Sequence, residues 1–367
     1  MTNSRVNKQR TVALAGCGAI APMHVQALQS LESVRLVALA DPDAGAARRL
    51  LGLFAPDSQI ACYASLGELL AGHKIDVVHI CTPHHTHVPL AVEALRHGCH
   101  VVLEKPPAIS LDDLAALEAA VGASDRSLGV CFQNRFNLAS QQARHLLETG
   151  KLEPVRTARA FVTWKRDAAY YGQAAWRGRW ATEGGGVMIN QAIHTLDLLL
   201  LLAGRPVRVE GTIANRHLRE EIEVEDTAEM HIELASGARA VFYATTAYGA
   251  DAPVFLELDC TSSRLRLEGD AIQLLDQNGQ PQAQKTLDEL LAASPAFVPL
   301  PEPAAAAAQN GKACWGLGHQ RLISAFYASL EPGQAPFPIG LSSASLALKT
   351  LLALYQSDRS GQPVTIR

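Results

Sequence analysis

The stretch "TVALAGCGAIAPMHVQALQSL", residues 11–31, decides how the first third of the chain is read. "TVALAGCG" (11–18) is a short apolar run ending in glycine, the pattern of a buried strand. "AIAPMHVQALQSL" (19–31) reads as the helix that follows. The turn between them has the form G-x-G-x-x-A, with Gly16, Gly18 and Ala21 at the three small positions. Glycine at 16 permits a tight turn. Glycine at 18 lets the backbone approach a pyrophosphate, and a small residue at 21 lets the helix pack close to the strand. The helix N-terminus then offers N–H groups to the anion.

Outward from this turn the alternation continues. Strands are expected at 35–41, 75–83 and 100–106, and helices at 42–54, 65–72, 86–98 and 110–124, the last with Ser110 as N-cap. Strands this continuously apolar are usually covered on both faces, which predicts a parallel, doubly wound sheet. Asp41 ends the second strand about 20 residues after the turn, where a carboxylate can accept hydrogen bonds from an adenosine ribose diol. Its charge would repel a 2′-phosphate, so NAD is expected in preference to NADP.

Bulk properties exclude several classes. A chain of 367 residues suggests two domains or three. A net charge of −4 gives no electrostatic case for nucleic acid or an anionic membrane as partner. The opening "MTNSRVNKQR" has no apolar signal core and its arginines are not adjacent, and no run reaches the roughly 18 apolar residues of a membrane span. Cysteines at 17, 62, 81, 99, 131, 260 and 314 form no C-x-x-C pair and are odd in number. They are expected as thiols in a reducing cytoplasm, and no metal site is expected. "HHTH" (84–87) has no carboxylate or cysteine spaced to complete a metal site.

From about residue 154 the pattern changes. Runs at 154–164, 224–235, 239–248, 253–260 and 263–270 show partial period-two alternation and predict a mostly antiparallel sheet with one buried face. Residues 277–312 read as a loop, and 315–330 and 341–357 as closing helices. The expected division is a dinucleotide-binding domain, 1–127, and a substrate-binding and oligomerisation domain, 128–367, with the last helix able to pack back on the first.

"EKPPA" (104–108), "CTPHHTH" (81–87) and "EGGGVMINQAIHTLD" (183–197), with "EDT" at 225–227 and "GHQRLISAFYASLEPGQAPFP" (318–338), resemble the glucose-fructose oxidoreductase/inositol dehydrogenase family, Gfo/Idh/MocA. The resemblance runs from about 10 to 365. It implies a Rossmann domain plus an open-faced sheet used in homodimers or homotetramers, and a sugar, cyclitol or derivative as substrate. It implies cofactor contacts at Gly16, Gly18, Ala19, Ile20, Asp41, Thr82, Pro83, His87, Glu104, Lys105, Gln133, Trp176 and Arg177.

Oxidising a secondary alcohol needs a hydride acceptor, a base for the hydroxyl proton and a donor for the developing alkoxide. Lys105 lies at the carboxyl end of a parallel strand, where ligands bind, and Pro106 restricts it to extended conformations. The resemblance makes it the lysine that meets the reacting oxygen. Asn190, His194 and Asp197 fall on one face of an otherwise apolar helix. That stripe fits a solvent-facing surface, a core histidine satisfied by Asp197, or a substrate site. The glycines at 184–186 favour the last, since they leave room for a nicotinamide or sugar. The resemblance assigns His194 as acid/base, and many relatives carry aspartate where this chain has Asn190. An amide cannot accept a proton, so either His194 or Lys105 takes it. In "WKRDAAYYGQAAWRGRW" (164–180), Tyr170 and Tyr171 are expected to contact substrate, and Trp176 and Arg177 the nicotinamide side.

The expected activity is hydride transfer between NAD and a secondary alcohol or ketone of a polyhydroxylated substrate. A redox-neutral, NAD-retaining glycosidase and a non-catalytic NAD-binding regulator are the alternatives.

Overall fold

The structure is a computed structural model that describes residues 9–54, 59–292 and 313–366. Six short strands form the first sheet: β1 (Arg10–Ala15), β2 (Val34–Ala40), β3 (Ala61–Tyr63), β4 (Val77–Ile80), β5 (His100–Leu103) and β6 (Leu128–Val130). Their order is β3-β2-β1-β4-β5-β6, and every pairing is parallel. This is the doubly wound sheet expected, with its order reversing at β1/β4, where such folds bind ligands. Val12, Leu14, Val77, Ile80, Val101 and Leu103 are wholly buried, as apolar runs covered on both faces require.

The second sheet has eight strands: β7 (Thr157–Thr163), β8 (Pro206–Ala214), β9 (Thr227–Leu234), β10 (Arg239–Thr245), β11 (Phe255–Asp259), β12 (Arg264–Glu268), β13 (Ala271–Leu275) and β14 (Val364–Thr365). Their order is β13-β12-β11-β7-β10-β9-β8-β14. All neighbours are antiparallel except β7 and β10. Alternation is clear where one face is buried: Ala228, Met230, Ile232 and Leu234 point inward from β9, while Glu229 and His231 are exposed. Helices Leu138–Glu148 and Ile193–Ala203 pack against this sheet.

The chain forms two compact units. One takes the described residues up to 108, 112–131 and 313–343; the other takes 109–111, 132–292 and 344–366. The division is therefore not a single cut near 127. The segment that rejoins the first unit carries helix Ala313–Ser329, which packs on helix Ala21–Gln29. The last helix, Leu341–Ser360, belongs to the second unit from residue 344 onward. In the stretch expected as a loop, Gln284–Ala292 is helical, and 293–312 lies outside the described residues. No helix among the described residues is long and apolar enough to cross a membrane.

Candidate active site

In the first unit the glycine turn follows β1. Gly16 sits at φ +90°, and a Cβ there would lie 2.6 Å from the Cys81 carbonyl oxygen, so the close approach of the chain after β4 excludes any side chain. Gly18 differs. It is exposed, and a Cβ added there would meet nothing within 4 Å. Gly18 and Ala19 are exposed and Ile20 is partly so, just before helix Ala21–Gln29, a position that fits an incoming phosphate group. Asp41 is held at this turn. Its Oδ2 accepts from Cys17 N at 2.7 Å and its Oδ1 from Asp43 N at 2.8 Å, and it stays partly exposed. Turn and carboxylate together match the pyrophosphate and ribose of an adenine dinucleotide.

Two residues expected to contact the cofactor have buried side chains. The His87 ring is buried between Pro106 O (2.8 Å) and Thr82 O (2.9 Å), so it braces two loops. Thr82 and Pro83, beside it, remain partly exposed. Glu104 is also buried. Its Oε1 lies 3.0 Å from His24 Nε2 and 3.1 Å from His319 Nε2, and its Oε2 accepts from Lys105 N at 3.2 Å. The carboxylate accepts only, so both imidazoles donate. His24 Nδ1 is then the acceptor for His79 Nδ1 at 2.8 Å, and His79 Nε2 accepts from the Tyr327 hydroxyl at 2.9 Å. Each hydrogen bond fixes the tautomer of the next. Burial lowers the pKa of His24 and His79, keeping them neutral. Burial opposes the charge of Glu104, but the imidazole N–H groups outweigh it and hold its carboxyl well below the usual range.

Against this rigid base Lys105 is the one residue of 101–108 that reaches partial exposure. It follows β5, and its bond to Pro106 is cis. Among the described residues, one group of three metal-ligating atoms, from His24, Glu104 and Cys131, lies within 4.8 Å of one another. The "HHTH" turn forms none.

In the second unit the stretch 187–203 begins as a π turn, Met188–Ala192, and continues as helix Ile193–Ala203. Such turns are frequent at functional sites. From 183 to 200 every residue is buried except Asn190 and His194, which are partly exposed. Asp197 does not join them. It is 3% exposed and takes a bidentate ion pair from Arg135, Nε to Oδ2 at 2.7 Å and Nη2 to Oδ1 at 2.5 Å. Neither a solvent-facing stripe nor an Asp197-satisfied histidine describes this helix. His194 instead meets the Phe132 ring edge-on at 5.8 Å.

The three glycines serve the chain's own packing, which corrects the expectation that they clear space for a ligand. A Cβ on Gly184 would lie 2.5 Å from the Ile109 Cβ; one on Gly185 would collide with the Tyr355 hydroxyl, and one on Gly186 with the Glu225 carbonyl. They admit a buried pair of carboxylates. Glu225 accepts from Gly186 N (2.8 Å), Met188 N (3.0 Å) and Tyr355 OH (2.8 Å), which caps the start of the helical stretch from a distant part of the sequence. Glu183 accepts from Gly178 N and from Asn190 Nδ2, each at 2.5 Å. Burial pushes both carboxyls up to about 7.

The aromatic loop divides. Tyr171 is in the core with Leu218, Ile222 and Val224, and burial raises its hydroxyl pKa, so it is not placed for substrate. Tyr170 stays partly exposed and its hydroxyl accepts from Gln191 Nε2 at 3.1 Å. The Arg177 guanidinium lies over the rings of Tyr170, at 4.3 Å, and Trp176, at 5.6 Å. Gln133 is buried, with an Oε1 that finds no hydrogen bond among the described residues.

Sequence reasoning missed Glu183, Glu225, Arg135 and the His24–His79–Tyr327–His319 set. The available signal was polar or charged residues inside apolar runs, as His79 is within "VVHI".

Residues 10–132 match an oxidoreductase family with an NAD-binding Rossmann fold, and residues 140–266 match the Gfo/Idh/MocA C-terminal domain. The chain is 30% identical over 224 residues to 1-carboxy-3-chloro-3,4-dihydroxycyclohexa-1,5-diene dehydrogenase of Comamonas testosteroni, covering 59% of this chain and 54% of that protein. It is 28% identical to D-glucoside 3-dehydrogenase of Escherichia coli, over 56% and 57%. Thus the chain spans only a little over half the length of these curated relatives. Among solved structures, the WlbA dehydrogenase of Chromobacterium violaceum, in complex with NADH and UDP-GlcNAcA, superimposes with a TM-score of 0.83 at 26% identity, covering 99% of this chain and 97% of that one. With these two matches covering residues 10–132 and 140–266, and a parallel sheet followed by a mostly antiparallel one, the chain belongs to the Gfo/Idh/MocA family of oxidoreductases.

Proposed function

We propose that this chain is an NAD-dependent dehydrogenase or reductase that acts on a secondary alcohol or ketone of a sugar, cyclitol or sugar derivative. The observation that carries the reading is selective exposure. Lys105 in one unit, and Asn190 and His194 in the other, are the polar groups left open in otherwise buried segments. The names of relatives, D-glucoside 3-dehydrogenase and scyllo-inositol 2-dehydrogenase (NAD(+)), support the substrate class.

Bound NAD would supply a hydride acceptor at the nicotinamide. Gly18, Ala19 and Ile20 would hold its pyrophosphate, and Asp41 its ribose diol in preference to a 2′-phosphate. Lys105 donates to the reacting oxygen, held by a backbone that Glu104 anchors. His194 or Lys105 exchanges the hydroxyl proton, and Asn190 orients a substrate hydroxyl. Within the second unit Tyr170 is the further candidate to meet substrate, and Gln133, Trp176 and Arg177 are those to meet the cofactor; the buried side chains of His87, Glu104 and Tyr171 shape the scaffold of their own units. Among the described residues six cysteines are free thiols, and burial raises Cys17 to about 12 and Cys99 to about 11, as for unreactive core thiols. A cytoplasmic homodimer or homotetramer is the setting that the family resemblance implies.

The test is incubation with NAD and then NADP across sugars, sugar acids and cyclitols, following the reduced cofactor by absorbance. Turnover with NAD and one chemical class is expected. NAD bound without turnover anywhere on the panel would favour a redox-neutral enzyme or a regulator. Turnover with NADP alone would remove Asp41 as the selector.

A further inference from the structure

We infer that Glu183 is a positioning residue that sets which end of the Asn190 amide is presented beside His194. The inference rests on the dehydrogenase reading for its consequence, but its geometry stands on the second unit alone.

Asn190 has one end that donates and one that accepts, and its own chemistry does not choose between them. Glu183 chooses. Its Oε2 is occupied by Gly178 N–H, and its Oε1 faces the Asn190 amide. An ionised carboxylate only accepts, so Asn190 must turn Nδ2 toward it. The carbonyl oxygen Oδ1 is thereby directed to the opposite side. Asn190 and His194 stand about one turn apart and are the two residues of 183–200 that reach solvent. With Glu183 ionised, that side carries an acceptor, which suits a substrate hydroxyl.

Protonation reverses this. Because Gly178 N–H holds Oε2 as an acceptor, the proton sits on Oε1 and donates toward Asn190. The amide then turns Oδ1 inward and Nδ2 outward, presenting a donor instead. Among the titratable and charged groups that face Glu183 are Glu225, Arg177, Tyr171 and Tyr355. Burial, with the Glu225 charge, raises Glu183 to about 7 against the hydrogen bonds from Gly178 and Asn190 and the charge of Arg177. The exposed polarity of Asn190 therefore changes near neutral pH.

Paired substitutions test the orientation. In E183Q the new amide must offer its oxygen to Gly178 N–H and its NH2 to Asn190, which forces the donor end of Asn190 outward. A roughly tenfold to hundredfold fall in kcat for alcohol oxidation is expected, of the size seen when a supporting partner is removed, with NAD affinity unchanged. N190D alone sets two carboxylates face to face, which share a proton at neutral pH, and is expected to fall as far only above the pH at which that proton leaves. The double variant N190D/E183Q restores a donor inside and an acceptor outside, and should return to within about fivefold of the parent, with the pH limb near 7 gone. A double variant no better than the worse single one would overturn the inference.

The readout independent of turnover is infrared difference spectroscopy of the wild type between pH 5.5 and 8.5. A carboxyl band that titrates together with a side-chain amide band, with both changes lost in E183Q, is the expected result. If no polyol is oxidised but this coupling is seen, the dehydrogenase reading fails and the positioning role stands. A carboxyl band that titrates with no amide change would overturn the positioning role even in an active enzyme.

Discussion

Glu104 in the first unit and the Glu183–Glu225 pair in the second are comparably buried, yet their charges are managed in opposite senses. Glu104 receives two imidazole N–H groups and a backbone N–H, and its carboxyl is held well below the usual range. Glu225 also receives three donors, but it faces a second buried carboxylate, and both are pushed up to about 7. Burial opposes the charge of all three carboxyls; at Glu104 the His24 and His319 rings outweigh it, whereas at Glu225 the backbone and tyrosine donors do not, and at Glu183 the Glu225 charge adds to the rise. The first arrangement gives a fixed anion beneath Lys105. The second gives a group that changes state near neutrality beneath Asn190.

The largest expected effect comes from breaking the first cluster. Glu104→Ala leaves two buried imidazole N–H groups without their acceptor and should cost about 3–5 kcal/mol, read by urea unfolding at pH 7. A cost below about 1 kcal/mol would mean the network holds nothing in place. Glu225→Gln comes next. Gly186 N–H, Met188 N–H and Tyr355 O–H together need more acceptor capacity than one amide offers, so about 1–3 kcal/mol should be lost at pH 8. The loss should shrink at pH 6, where the native carboxyl is itself largely protonated.

The two units should also answer pH in opposite directions. For Glu183 and Glu225 the folded pKa, about 7, lies above the ordinary 4.5, so the folded state holds extra protons between these values. Their contribution is fully present below pH 4.5 and is lost as pH rises through 7. For His24 and His79 the folded pKa lies below 6.5, so the unfolded state holds the extra protons. Their contribution is present above 6.5 and is lost as pH falls. Hydrogen exchange, corrected for its intrinsic pH dependence, should show β4 and β5 gaining protection from pH 5 to 7. Residues 187–203 should lose it from pH 6 to 8. Parallel behaviour of the two regions would remove the contrast. The smallest effect is Tyr327→Phe, which deletes the outermost donor of the histidine chain and should cost about 1 kcal/mol.

The sequence shows one part of this more plainly than the other. Gly16, Gly18, Ala21 and Asp41 form a local pattern whose spacing is the physics of the turn, and the doubly wound sheet follows from apolar runs around it. Glycine alone does not reveal what occupies the space beside it, and so 184–186 point equally to a ligand or to Ile109, Tyr355 and Glu225. Asp197 looks available to His194 on one helix because Arg135, its actual partner, is 62 residues away. Glu183 follows the same logic. Its burial arises from long-range packing, and only after that packing is known does Asn190 become oriented.

Isotope transfer follows the hydride from the substrate carbon to the nicotinamide. The active substrate class would be supplied with deuterium at the reacting carbon, and the cofactor recovered after a single turnover for mass spectrometry. Deuterium should appear in the reduced nicotinamide with the wild type. It should be absent with Lys105→Ala and His194→Ala, both of which still bind NAD. No transfer by the wild type with NAD bound, or equal transfer by both variants, would contradict the account.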